Sequence, residues 1–254
     1  MPDLVLLGAV AFLAGLIDAV VGGGGLLQVP ALFSVMSQTT PATLLGTNKL
    51  ASIWGTGAAA ISFARQVKMP WSTALPAATT AFVLSFAGAF TVTHIPPDMM
   101  RKALPLILVA VAIYTFKRKD FGRHHAPIHS GRQEIIWAMI VGGSIGFYDG
   151  FFGPGTGSFL VFLFVRFFGF DFLGASAVAK VVNVSCNLAA LLWFGYSGHV
   201  LLQLGLIMAA CNIAGSLIGV RLAIRHGTDF VRKIFLFVVC LLILKTGSDA
   251  YFAT

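Results

Sequence analysis

Long apolar runs follow one another through this chain almost without pause, and that succession constrains its fold more than any other feature. They cover Leu4–Val21, Leu26–Val35, Ala42–Phe63, Trp71–Thr93 and Met99–Phe116. After one polar piece at Lys117–Arg132 the pattern restarts at Ile135–Phe152, Phe159–Phe168, Phe172–Phe194, Val200–Ala223 and Phe230–Leu244. One bilayer crossing takes roughly 20 apolar residues, so 254 residues suffice for about eight to ten crossings, with little left for a soluble domain. Only 10% of the residues are charged, where a soluble domain carries roughly 25%. The expected fold is an all-α integral membrane protein, a polytopic helical bundle, because only helices and closed barrels satisfy their backbone in lipid. The runs lack the period-two alternation of barrel strands. The first run has no basic n-region and matches a segment deeper in the chain, so it reads as a retained crossing rather than a signal peptide.

The formal net charge is +8. The positive side chains sit mostly between apolar runs, not along one helix face. They read as topological signals that hold loops in the cytoplasm, with lipid as the neighbour and nucleic acid excluded as a partner. Cys186, Cys211 and Cys240 lie inside apolar runs and read as packing residues rather than a disulfide framework.

Sliding the chain by 131 positions aligns two halves without a gap. Gly15 falls on Gly146, Asp18 on Asp149, Gly22 on Gly153, Gly24 on Gly155, Lys49 on Lys180, Ser85 on Ser216 and Gly88 on Gly219. Asp98, Arg101 and Lys102 fall on Asp229, Arg232 and Lys233. Apolar low complexity produces chance Leu and Ala matches, but not coincident Asp, Lys and Arg at one offset. The chain is therefore read as a first membrane repeat at 1–116, a cytoplasmic basic loop at 117–132 and a second membrane repeat at 133–254. Arg65 and Lys68 follow the third run, while the corresponding Gly195–His199 carries neither Lys nor Arg. In the next loop the bias reverses, with Arg101 and Lys102 against Arg221, Arg225, Arg232 and Lys233. Corresponding loops preferring opposite sides imply inverted repeats with both termini outside, a common transporter design. Arg101 and Lys102 lie on the disfavoured side of this arrangement. The second run of each half has about ten residues and follows a glycine-rich break, which suits either a re-entrant hairpin or a short tilted crossing.

Three pairs of elements can carry chemistry. The breaks around Gly22, Gly23, Gly24 and Gly25 and around Gly153 and Gly155 let the backbone leave the helix and approach a ligand. Their exposed N–H groups and half-helix dipoles favour an anion, with Thr156, Ser158 and Gln28 as further donors; close helix packing is the competing use of these glycines. Lys49 and Lys180 lie inside apolar runs, where a charge faces a cavity or a partner, unless it snorkels to the interface. Asn48, Asn183 and Asn187 are near them in sequence. Of the two lysines, Lys180 has no other charge near it in its helix and is the stronger candidate for substrate contact. Asp18 and Asp149 each precede a matched break by four residues. They can carry a coupling proton, pair with a lysine, or cap backbone N–H groups. The histidines have no metal-ligand spacing, and no P-loop, GxSxG or Ser/His/Asp order is present. No enzymatic chemistry and no cofactor are expected.

A duplicated block with an acidic residue before a glycine-rich turn, followed by the GTNK segment at Gly46–Lys49, resembles the sulfite exporter TauE/SafE family of membrane permeases. The similarity covers essentially the whole chain. The second half departs from it, with Ala179-Lys180 in place of Asn-Lys and Pro154 among the glycines. The resemblance implies a secondary transporter of small anions such as sulfite, sulfonates or related organic acids, in a bacterial cytoplasmic (inner) membrane, with coupling to protons. A passive anion channel, or transport of a different small solute, is the alternative. No motif demands an oligomer, and a homodimer is left open.

Overall fold

The structure is a computed structural model that describes residues 2–103 and 128–252, with backbone alone at 2, 228–232 and 234–252. The expected fifth run of the first half beyond Ala103, most of the basic loop and the side chain of Cys240 lie outside the described residues. Among those described, the chain is helical throughout, without a strand. The helices are α1 (Pro2–Val21), α2 (Gly25–Val35), α3 (Pro41–Gln66), α4 (Trp71–Thr93), α5 (Gly131–Phe151), α6 (Thr156–Phe168), α7 (Phe172–Tyr196) and α8 (Leu202–Phe252). Among the described residues, four stretches, Asp3–Val21, Trp71–Thr93, Phe172–Tyr196 and Leu202–Gly227, are long and apolar enough to cross a bilayer. Large apolar side chains such as Val5, Val83, Leu192 and Leu202 point outward. Lipid accepts such a surface, whereas a soluble monomer keeps its exposed apolar patches small.

The last two expected runs of the second half are continuous in α8, interrupted only at Gly227, whose φ of 70° and ψ of −166° break the helix. A side chain is rarely tolerated at positive φ, so glycine makes the joint within one residue where a loop was expected.

Helix packing follows the internal duplication. The 131-residue offset maps α1 onto α5, α2 onto α6, α3 onto α7 and α4 onto α8. In space α1 packs on α8 while α5 packs on α4, and α3 packs on α8 while α7 packs on α4. Each half therefore completes the other. The small residues of these seams recur at the same offset. A Cβ at Gly88 would lie 2.3 Å from the Phe147 carbonyl oxygen, and one at Gly219 would lie 2.5 Å from that of Leu16. Likewise Gly15 abuts the backbone of Asn212, and Gly146 abuts that of Ala81. Apolar side chains gain nothing by leaving lipid for protein, so membrane helices associate through close backbone approach at small residues. These matched glycines are packing residues.

The glycines of the breaks do something else. α1 ends at Val21 and the chain turns at Gly22, with φ +80°; α5 ends at Phe151 and turns at Gly153 and Gly155, with φ +93° and +85°. The two turns lie against each other. Gly22 accepts a hydrogen bond through its carbonyl from the Ser158 N–H at 2.9 Å. Two helices are thus interrupted at one place, where their backbones cross. Beyond the breaks α2 has 11 residues and α6 has 13. At 1.5 Å rise per residue these are about 17 and 20 Å long, short of a bilayer core of roughly 30 Å.

Candidate functional site

The crossed breaks bring the two aspartates, in the last turns of α1 and α5, beside α3 and α7. There each lysine meets an aspartate of the other half. Lys49 donates from Nζ to Asp149 Oδ2 at 2.5 Å, and both side chains are almost fully buried, at 3% and 2% exposure. Lys180 donates to Asp18 Oδ2 at 2.9 Å and to the Asp18 main-chain carbonyl. Lys180 is 1% exposed and Asp18 14%. The offset turns one pair into the other, so the pairing is exchanged between halves. A charge held among apolar helices is costly unless paired and hydrogen-bonded, and exchange leaves each half with two unpaired charges without its partner. Snorkelling, the competing use of the lysines, is ruled out by their burial.

Between the pairs lies a small polar cavity. Its volume is about 20 Å³. That is room for about one ordered water. Of the residues expected from sequence, Gly22, Gly24, Gly25, Asn48 and Lys49 line it from the first half, and Gly153, Gly155, Thr156 and Asn183 from the second, with Asp18 and Asp149. Asn48 keeps an amide oxygen without a hydrogen-bond partner.

Gly23, Gln28, Ser158 and Lys180 are not part of the lining. Gln28 is fully buried, and its Oε1 accepts from Asn212 Nδ2 at 3.3 Å. Ser158 Oγ donates to the Val21 carbonyl at 3.1 Å, and the Thr156 hydroxyl donates to the Gly153 carbonyl at 2.8 Å. The two hydroxyl donors are thus engaged within the breaks, whereas the Gln28 amide Nε2 has no hydrogen-bond partner among the described residues. The N–H groups of Leu26, Leu27, Thr156 and Ser158 are taken up by the carbonyls of Gly23, Gly24, Gly153 and Gly22. Turns this tight bring their own acceptors within reach, and buried N–H groups are nearly always paired. Ser158 joins the two breaks. Ser158→Ala leaves the buried Val21 carbonyl without its side-chain donor and is expected to cost about 1–3 kcal/mol, read as a lower denaturation midpoint of the purified protein in detergent.

The lining also includes Ser52, Thr56, Gly157 and Asn212, which sequence reasoning missed. Asn48, Ser52 and Thr56 are spaced by four on α3, so they share one helix face. Ser52 and Thr56 fall on Asn183 and Asn187 at the repeat offset. That polar stripe was a usable signal. Thr56 donates to Asp18 Oδ2 at 3.3 Å, and Asn187 Nδ2 donates to Asn183 Oδ1 at 3.4 Å. Asn212 had no such signal. Its repeat counterpart is Ala81, and it reaches the cavity because α8 is packed against Gly15 and Gly55.

Comparison with known proteins agrees with this architecture. The chain is 34% identical over 239 residues to the probable membrane transporter protein ORF9 of Sinorhizobium sp, covering 94% of this chain and 90% of the relative. It is 34% identical over 242 residues to the probable membrane transporter protein YfcA of Escherichia coli K12, covering 95% and 88%. A probable membrane transporter protein of Haemophilus influenzae is 33% identical over 248 residues, covering 98% and 94%. No solved structure matches the chain. The family model described as sulfite exporter TauE/SafE matches residues 7–246. A duplicated helical membrane protein whose halves meet at two broken helices, and whose sequence matches that family over nearly its full length, is a membrane transporter belonging to the sulfite exporter TauE/SafE family.

Proposed function

We propose that this protein is a secondary transporter of small anions, sulfite, sulfonates or related organic acids, in the bacterial cytoplasmic membrane. Anion movement is coupled to protons, and access alternates between the two halves, which are inverted with respect to the membrane. The observation that carries this reading is the pair of exchanged Lys–Asp bridges beside a polar cavity where two broken helices cross. The four charges cancel, so the cavity is neutral as it stands. An anion that enters must compete with a carboxylate for an ammonium group. A proton on that carboxylate removes the competitor, which links anion binding to protonation. Because each bridge joins opposite halves, rocking one half against the other disturbs both bridges and the cavity together. Inversion is supported by the opposite Lys and Arg bias of corresponding loops. Export is the direction that the family's description suggests.

The test is counterflow in proteoliposomes, with labelled sulfite and several small sulfonates. Saturable uptake driven by unlabelled anion inside is the expected result. A flux that rises without saturation and shows no counterflow would identify a passive channel instead.

A further inference from the structure

The two ion pairs are equivalent in sequence and unequal in three dimensions. We infer that they have separate tasks: Lys49–Asp149 is the pair that opens, handing its ammonium group to the anion when Asp149 takes up a proton, while Lys180–Asp18 is a clasp that positions the break after α1. The inference rests on the transport reading above and adds to it the identity of the exchanging pair.

Three observations separate them. Lys49 lines the cavity and Lys180 does not. Among the described residues, the hydrogen bond recorded for the Lys49 ammonium goes to a single carboxylate oxygen of Asp149. Lys180 instead grips Asp18 twice, at the carboxylate and at the main-chain carbonyl. A main-chain carbonyl does not titrate. If Asp18 became neutral, Lys180 would keep that partner, and the Asp18 oxygen would still accept from Thr56. If Asp149 became neutral, Lys49 would keep its charge, lose its counter-ion and face the cavity beside the unpartnered amide oxygen of Asn48. The same grip bears on position. Asp18 O also accepts the Gly22 N–H at 2.8 Å, so Lys180 binds the carbonyl at which the α1 break begins. Lys180 is therefore a positioning residue.

The groups that face Asp149 are Lys49 from α3, the Cys186 thiol from α7 and Tyr148 on its own helix, with Asp18 across the cavity. Tyr148 donates its hydroxyl to the Pro154 carbonyl at 2.5 Å. Lys49 is thus the cation positioned to answer the charge on Asp149. The balance is simple: one proton binds the Asp149 carboxylate, one anion takes the freed ammonium, and departure of both restores the ion pair. No bond other than that O–H is made or broken.

The experiment measures labelled sulfite counterflow by purified protein in liposomes, from mildly acidic to mildly alkaline pH. Half-saturation and maximal rate are determined separately. Each pH profile is taken as a ratio to the wild type, so that sulfite's own protonation cancels. Lys49→Gln is expected to raise the half-saturation concentration by roughly tenfold or more, the worth of one charge-assisted hydrogen bond. Asp149→Asn is expected to keep exchanging sulfite while losing the dependence on pH; Asp18→Asn is expected to keep it. Lys180→Gln is expected to lower the maximal rate with the half-saturation within about twofold, and Lys180→Arg to restore the rate through retained charge. If Lys49→Gln does not fold, Lys49→Gln combined with Asp149→Asn removes both charges and is measured in its place. The inference is overturned if Lys180→Gln weakens half-saturation as much as Lys49→Gln, or if Asp149→Asn keeps the wild-type pH profile. Absence of sulfite counterflow in the wild type, from protein shown to be folded, would overturn the transport reading and the inference with it.

Discussion

Gly22→Val is expected to leave no folded, monodisperse protein. Two independent faults coincide at this residue. Its φ is +80°, in the left-handed region that a β-branched side chain almost never occupies. Its Cβ would also fall 2.3 Å from the Gly157 carbonyl carbon and 2.6 Å from Gly157 Cα. Those atoms are backbone and cannot swing aside as the end of a flexible side chain can. Relief requires the two breaks to separate, which would cut the Ser158 N–H bond to the Gly22 carbonyl and open the cavity. Gly57→Ala is the matched control. Gly57 lies in α3 with nothing within 4 Å of its would-be Cβ. That substitution is expected to be neutral or to stabilise by up to about 1 kcal/mol, because alanine loses less conformational freedom in a helix. Yield and elution profile in size-exclusion chromatography separate the two. A monodisperse Gly22→Val protein at wild-type yield would mean that the breaks do not abut.

The second large effect concerns the Lys49–Asp149 bridge. Lys49→Met leaves Asp149 charged or forces it neutral in a nearly sealed site; Asp149→Leu does the same to Lys49. Breaking a buried pair from one side is expected to cost about 3–5 kcal/mol. The double variant Lys49→Met, Asp149→Leu removes both charges and is expected to recover most of that loss, since apolar replacement of a buried pair is often neutral. The double-mutant cycle in thermal denaturation then reports a large coupling energy, as contacting residues do. The same stable double variant is expected to show no anion counterflow, because neither the cation nor its carboxylate partner remains. Stability restored with transport intact would show that the bridge is structural and that the anion binds elsewhere.

Much of the fold was legible along the chain. The runs that became α1, α3, α4, α5 and α7 were visible because lipid imposes a minimum apolar length on a helix. The duplication was visible because matched Asp, Lys and Gly recur at one offset. The broken helices were visible as glycines next to a short apolar run, and α2 and α6 follow them as expected. At those breaks Gly22, Gly153 and Gly155 take positive φ, which glycine tolerates cheaply.

The division among the glycines was less legible. Gly15 and Gly146 serve packing, and Gly22 and Gly153 serve the turns, yet all four appear in sequence as matched glycines. Which donors of the breaks are taken up was also illegible along the chain, because it depends on which carbonyl the other half brings to each. Ser158 N–H meets Gly22, 136 positions earlier in the chain. The preference for Lys180 came from its isolation within its own helix, but isolation along a helix says nothing of a partner that arrives from another.

What the sequence determined by itself is therefore the class of fold, the two-fold duplication, the location of the breaks and the identity of the four charges that form the two ion pairs. Each follows from a local property: apolar run length, a repeat offset, glycine's backbone freedom and the cost of a charge in lipid. Only the tertiary structure decided which lysine meets which aspartate, which of the two lysines faces the cavity, and that Asn212 belongs to it. Those outcomes depend on backbones crossing at Gly22 and Gly157 and on α8 seating against Gly15 and Gly55. Contacts between residues more than a hundred positions apart are set by how close two helix surfaces can come, and no local pattern of residues encodes that distance.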